Sequence, residues 1–148
     1  MRRVLVWFGL VSVMVGVVTP ATANPRGDGI KILRIVFDPP GVDSATNDSL
    51  NSEVVLIANK GSTLVTLTGW TLRDSDGNAF RFPSLSLAAE EIVKVHTGSG
   101  VDTARSLYWD AGHQVWNNNG DSATLRLRGG RIVHGCGYSG PGSVARCL

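Results

Sequence analysis

The chain has 148 residues, with 14 Lys and Arg against 12 Asp and Glu for a formal net charge of +2. That length suits one domain with its own core and leaves no room for a second. Two cysteines and three histidines, without a nearby histidine pair beside the cysteines, fall short of a sequence-readable zinc site.

Arg2 and Arg3 form a positive head, residues 4–18 carry no charge, and Ala21-Thr22-Ala23 has the small-x-small spacing that signal peptidase accepts. The expectation is a cleavable signal peptide over residues 1–23, cut before Asn24, and export to the extracellular space or cell envelope. An apolar run of about 15 residues is shorter than the roughly 20 that cross a hydrocarbon core, so no membrane span is expected after cleavage. The twin arginines leave the export route open. Removing the leader removes Arg2 and Arg3, and with them the whole net charge. Arg73, Arg81, Arg105, Arg126, Arg128 and Arg131 alternate with Asp74, Asp76, Asp102, Asp110 and Asp121 and form no run. Nucleic-acid binders neutralise several phosphates from a clustered basic face, so nucleic acid is not the expected partner.

Residues 30–37 read as a strand rich in Ile, Val and Phe, stopped by Asp38-Pro39-Pro40-Gly41. Residues 42–52 are rich in Asp, Asn, Ser and Thr and read as a loop, which holds an Asn47-Asp48-Ser49 sequon. Residues 53–58 form the next strand, with Glu53, Val55 and Ile57 on one face, and Asn59-Lys60-Gly61 turns it. Further short strands are expected over 64–67, 70–73, 79–82, 92–96, 108–109, 123–127 and 132–133. Asp76-Gly77 supplies a hairpin turn between two of them, and Arg128-Gly129-Gly130 another. No window shows helical periodicity. Many short strands bounded by Gly, Asp, Asn and Pro point to an antiparallel β-sandwich.

Asp74-x-Asp76-Gly77-Asn78 resembles the start of a calcium loop, but the twelfth position is Leu85 where a bidentate acid is needed. The same residues suit a tight turn, which is the expected reading. His96, His113 and His134 lie too far apart for metal-ligand spacing, and no G-x-S-x-G elbow exposes a serine nucleophile. No catalytic residue, metal or cofactor is therefore expected. Trp70 reads as core, since one buried indole removes about 150–250 Å² from water. Tyr108, Trp109 and Trp116 lie among Gly, Asn and Asp, and have two readings: core, or with Asn117 and Asn118 a ligand surface that stacks on sugar rings. Cys136 and Cys147, in an exported chain, are expected to form a disulfide closing a loop of about a dozen residues.

Several spaced motifs occur in order: residues 53–61, Leu67-Thr68-Gly69-Trp70-Thr71-Leu72-Arg73-Asp74, Gly77-Asn78-Ala79-Phe80-Arg81-Phe82-Pro83, Leu107-Tyr108-Trp109 and residues 115–125. Together they resemble the lamin-tail domain family in its secreted bacterial form. The resemblance implies an immunoglobulin-like sandwich over residues 24–135, a bias towards binding or scaffolding, and no established active site. Leu87-Ala88-Ala89-Glu90 departs from the Pro-Gly turn common in such domains. Residues 136–148 match nothing in them and read as a separate disulfide-tied tail.

The expected function is an exported, non-catalytic interaction or structural module, monomeric, with a protein, glycan or other envelope component as partner. The alternatives are an exported metal-dependent hydrolase such as a nuclease, using His96 or His113, or an accessory nucleic-acid-binding domain.

Overall fold

The computed structural model describes residues 27–41 and 45–147; the expected leader lies outside them. In chain order the elements are β1 (Ile30–Val36), α1 (Asn47–Ser52), β2 (Val54–Asn59), β3 (Val65–Thr66), β4 (Thr71–Arg73), β5 (Ala79–Arg81), β6 (Ser86–Leu87), β7 (Ile92–His96), β8 (Ser106–Tyr108), β9 (Gly120–Arg126), β10 (Ile132–Ser139) and β11 (Val144–Arg146). One sheet has the order β11-β1-β2-β7-β8 and the other β10-β9-β4-β5, with β3 and β6 forming a two-stranded ribbon. All pairs are antiparallel except β7 with β8.

Period-two alternation sends one face of each strand inward. Ile57, Val93, Val95 and Leu107 of the first sheet meet Leu72, Phe80, Ala123 and Leu125 of the second in one buried cluster. β1 breaks the alternation: its register with β2 shifts between Ile32 and Arg34, so Ile32 and Ile35 both point inward. The bulge leaves Leu33 and Arg34 together on the outward side. β10 has its own register shift between Ile132 and His134. The two irregularities are joined across the sheets, where the Ile32 N–H donates to His134 Nδ1 at 3.2 Å. Burial, and then the Lys31 charge, pull the His134 pKa below its ordinary value, which keeps that nitrogen free to accept.

The Asp-Gly hairpin forms as expected, with Gly77 at φ 97° and Asp74 N–H donating to the Asn78 carbonyl. In the turn before β7, Glu90 takes φ 61°, a left-handed conformation that most side chains avoid. The stretch read as loop at 42–52 contains α1. Thr46 caps this helix, its hydroxyl accepting from Ser49 N–H, and Leu50 is buried.

The tail set apart at residue 136 is part of the sandwich. β10 runs through that boundary, and β11 pairs with β1 as the sheet's edge. A Cys136–Cys147 disulfide, with Cα atoms 5.3 Å apart, ties β10 of one sheet to the end of β11 in the other. At the opposite edge, Asp102 and Thr103 accept the N–H groups of Tyr108 and Ser106 in β8. Side chains of its own loop thus blunt an edge strand that would otherwise invite pairing.

Candidate functional site

The aromatics singled out from sequence divide between core and surface. Trp116 is 1% exposed, and its ring meets Trp109 edge-on at 6.0 Å. Trp109 is half-buried and lies 5.7 Å from Phe80, which in turn packs edge-on against Phe82. These rings form one cluster between the sheets, so Trp116 offers no face to a ligand. Tyr108 is half-buried at the surface: its ring stacks on the His96 imidazole at 5.0 Å, and a Cβ on Gly100 would stand 2.4 Å from it. Only a glycine lets that backbone lie against the ring.

Beside this stack, α1 holds the loop that follows β7. Asn47 and Asn51 side-chain amides both donate to the Ser99 carbonyl, and Asn47 Oδ1 accepts the Ser99 N–H. The Ser99 hydroxyl donates to Asp110, which sits at φ 61°. His96 Nδ1 lies 2.8 Å from the Asn51 carbonyl; because a carbonyl only accepts, that nitrogen carries the proton.

Asn117 is exposed, yet its groups are engaged. Its N–H and side-chain amide donate to Asp121, the amide also reaches Asp76 at 2.8 Å, and the Tyr138 hydroxyl donates to its carbonyl. Asn118 is half-buried beside it. Asp121, 7% exposed, accepts from Ser75 N–H, Ser75 Oγ, Ser122 N–H, Asn117 N–H and Asn117 Nδ2. Asp74 is likewise taken up by the Asn78 N–H and side-chain amide. The calcium-like motif is turn chemistry here. Burial, then the Asp121 and Glu53 charges, push the Tyr138 pKa above its ordinary value.

The three histidines have different partners. His96 faces Asn51 and Tyr108, His113 Nδ1 lies 2.8 Å from the Ala111 carbonyl, and His134 accepts from Ile32. Among the described residues no three His, Cys, Asp or Glu side chains are grouped to hold a metal ion. One carboxylate that sequence placed on a strand face is fully internal: Glu53 is 1% exposed, and its Oε2 accepts the Val115 N–H at 3.1 Å. Glu53 thereby anchors the loop that carries Trp116.

Charge alternation along the chain conceals segregation in space. Arg81, Thr71 and Arg126 are register neighbours on the outward face of the four-stranded sheet, with Arg73 close by. Arg81 and Arg126 donate to the Gly69 and Gly130 carbonyls. On the five-stranded sheet, Arg34 and Arg146 stand directly opposite each other. Surface depressions among the described residues include two of note. A cleft of about 550 Å³ runs between residues 83–86 and 102–107. A groove of about 390 Å³ lies over Leu33, Arg34, Leu56, Lys60, Ile92 and Arg146. The groove was not legible, because the bulge that brings Leu33 and Arg34 together breaks the alternation from which strand faces are read.

Two sheets packed over a single core, with loops gathered at the ends and no long helix among the described residues, define an immunoglobulin-like β-sandwich. A Lamin Tail Domain family model matches residues 23–140, and the chain belongs to that family. No curated protein matches the chain.

Proposed function

We propose that the protein is an exported, non-catalytic interaction or structural module whose partner is an extracellular or envelope component. The family, immunoglobulin-like and generally non-catalytic, supports the reading. So do the disulfide, which suits an oxidising compartment, and the lack among described residues of a helix long and apolar enough to cross a membrane.

The observation that carries the proposal is the use made of the reactive groups. Each histidine ring is bonded to a different backbone group, and Asp74 and Asp121 are taken up by turn amides. A general base has to reach a substrate proton, and a catalytic pair has to reach each other; these groups hold loops in place instead. The test is a screen of the purified chain from Asn24 onward against cell-wall polymers, envelope lipids, sugars, secreted proteins and DNA. Saturable binding to an envelope component is expected. No binding above background to any of them would overturn the reading, as would metal-dependent hydrolysis lost in His96→Ala or His113→Ala.

A further inference from the structure

The five-stranded sheet turns one face into the core and the other outward. Register sets Arg146, Arg34, Leu56 and Lys94 side by side in one cross-strand row on that outward face. Lys31, Ala58 and Ile92 make the row on one side, and Val144, Val36 and Val54 the row on the other. The groove of about 390 Å³ has an aliphatic floor of Leu33 and Leu56, a cationic rim of Arg34, Arg146 and Lys60, and no carboxylate in its lining. Ile92 and Val144 are 39% and 43% exposed, two large aliphatic side chains standing in solvent on the same face.

Most cations of this face are unspent. Lys60 is paired with Glu90 at 2.6 Å, whereas Lys31, Arg34, Lys94 and Arg146 have no ion-pair partner among the described residues. Like charges directly opposite on neighbouring strands disfavour a sheet, and Arg34 and Arg146 are such a pair. Two guanidinium groups on the other sheet differ, since Arg81 and Arg126 are committed to backbone carbonyls. α1 covers only the far corner of the face, at His96.

A fully hydrated polyanion has no use for Leu33, Leu56, Ile92 and Val144, and a purely apolar partner has no use for unpaired cations. The boundary layer of a bilayer with anionic headgroups offers both: aliphatic side chains enter between headgroups while Arg and Lys meet phosphates. The planar guanidinium suits phosphate bidentately. We infer that the outward face of the five-stranded sheet docks the protein on an anionic phospholipid surface, Arg34, Lys94 and Arg146 on the phosphates and Ile92 and Val144 at the acyl boundary. This rests on the reading of the protein as a non-catalytic module and names that module's partner.

The test is co-sedimentation of the chain from Asn24 onward, which contains every described residue, with vesicles of phosphatidylglycerol and phosphatidylcholine in equal parts. Vesicles of phosphatidylcholine alone and soluble polyphosphate serve as comparisons. Binding to the anionic vesicles is expected, weakening with added salt. Replacing Arg34, Lys94 and Arg146 together by Gln is expected to lower the partition coefficient about a hundredfold, each cation near the surface contributing about fivefold. Ile92→Ser lowers it further while the melting temperature is retained, and Arg73→Gln with Arg81→Gln leaves it unchanged. The inference is overturned if the anionic vesicles are not bound or the triple variant binds like the parent. It is equally overturned if polyphosphate is bound as tightly with no effect of Ile92→Ser. If vesicles fail while another envelope component binds in the screen, only the lipid assignment falls; if nothing binds, the module reading falls with it.

Discussion

Around residues 117–121 the polar groups are answered from within: Asp121 takes donors from Ser75, Ser122 and Asn117, and Asn117 gives its amide to Asp76 and Asp121. On the outward face of the five-stranded sheet, Arg34, Lys94 and Arg146 have no such answer among the described residues. Both regions are rich in side chains that bind ligands. The difference lies in whether the fold has already used them. Asp and Asn are short and satisfy nearby N–H groups, so a loop dense in them holds its own shape. Long cations on a pleated face reach outward and form ion pairs only if the sheet supplies acids.

Five variants, one of them read through a pH titration, sharpen the contrast. Trp116→Ala, beneath the loop, should cost about 4 kcal/mol, as for other large core truncations, measured by denaturant unfolding. Replacing Cys136 and Cys147 by Ser should cost about 3 kcal/mol in the chain-entropy account of a loop this size; an equal melting point with and without reductant would contradict it. Asp121→Ala strands several amides and should cost about 2 kcal/mol, whereas a stable variant that gained ligand affinity would mean the loop is the binding site after all.

His134 adds a pH dependence of known sign. Its folded pKa lies below 6.5, so the folded state resists protonation more than the unfolded chain does. The stability it contributes is present above about pH 6.5 and is lost as pH falls through the lower folded value. The parent should lose melting temperature over that window, and His134→Gln should lose less. The smallest effect belongs to the outward face: Arg34→Gln, relieving a like-charge pair, should leave stability unchanged or raise it by a few tenths of a kcal/mol.

Much of this molecule was legible in its sequence. Alternation over residues 53–58 correctly put Glu53 on the same face as Val55 and Ile57, and the Asp-Gly and Arg-Gly-Gly turns marked two hairpins that form. What escaped depends on contacts distant in sequence. α1 is six residues with one buried Leu, too short for a periodic signal. The parallel pairing of β8 is set by its neighbour β7 and has no local signature. The final residues lack a motif, yet β11 completes a sheet by pairing with β1. Aromatic composition could not separate Trp116 in the core from Tyr108 at the surface, since burial there is decided by Phe80 on β5 and Trp109 in the loop after β8. The unpaired cations stayed hidden because a bulge at Leu33 and a cross-strand row only exist once register is known.

The central claim, that binding falls to the sheet face and not to the Asp- and Asn-rich loop, is tested most directly by backbone amide shifts of the isotope-labelled chain on titration with phosphatidylglycerol-containing bicelles. The account predicts perturbations at Arg34, Leu56, Ile92, Lys94 and Arg146, with 117–121 unmoved. Perturbations confined to 117–121, or none anywhere, would contradict it.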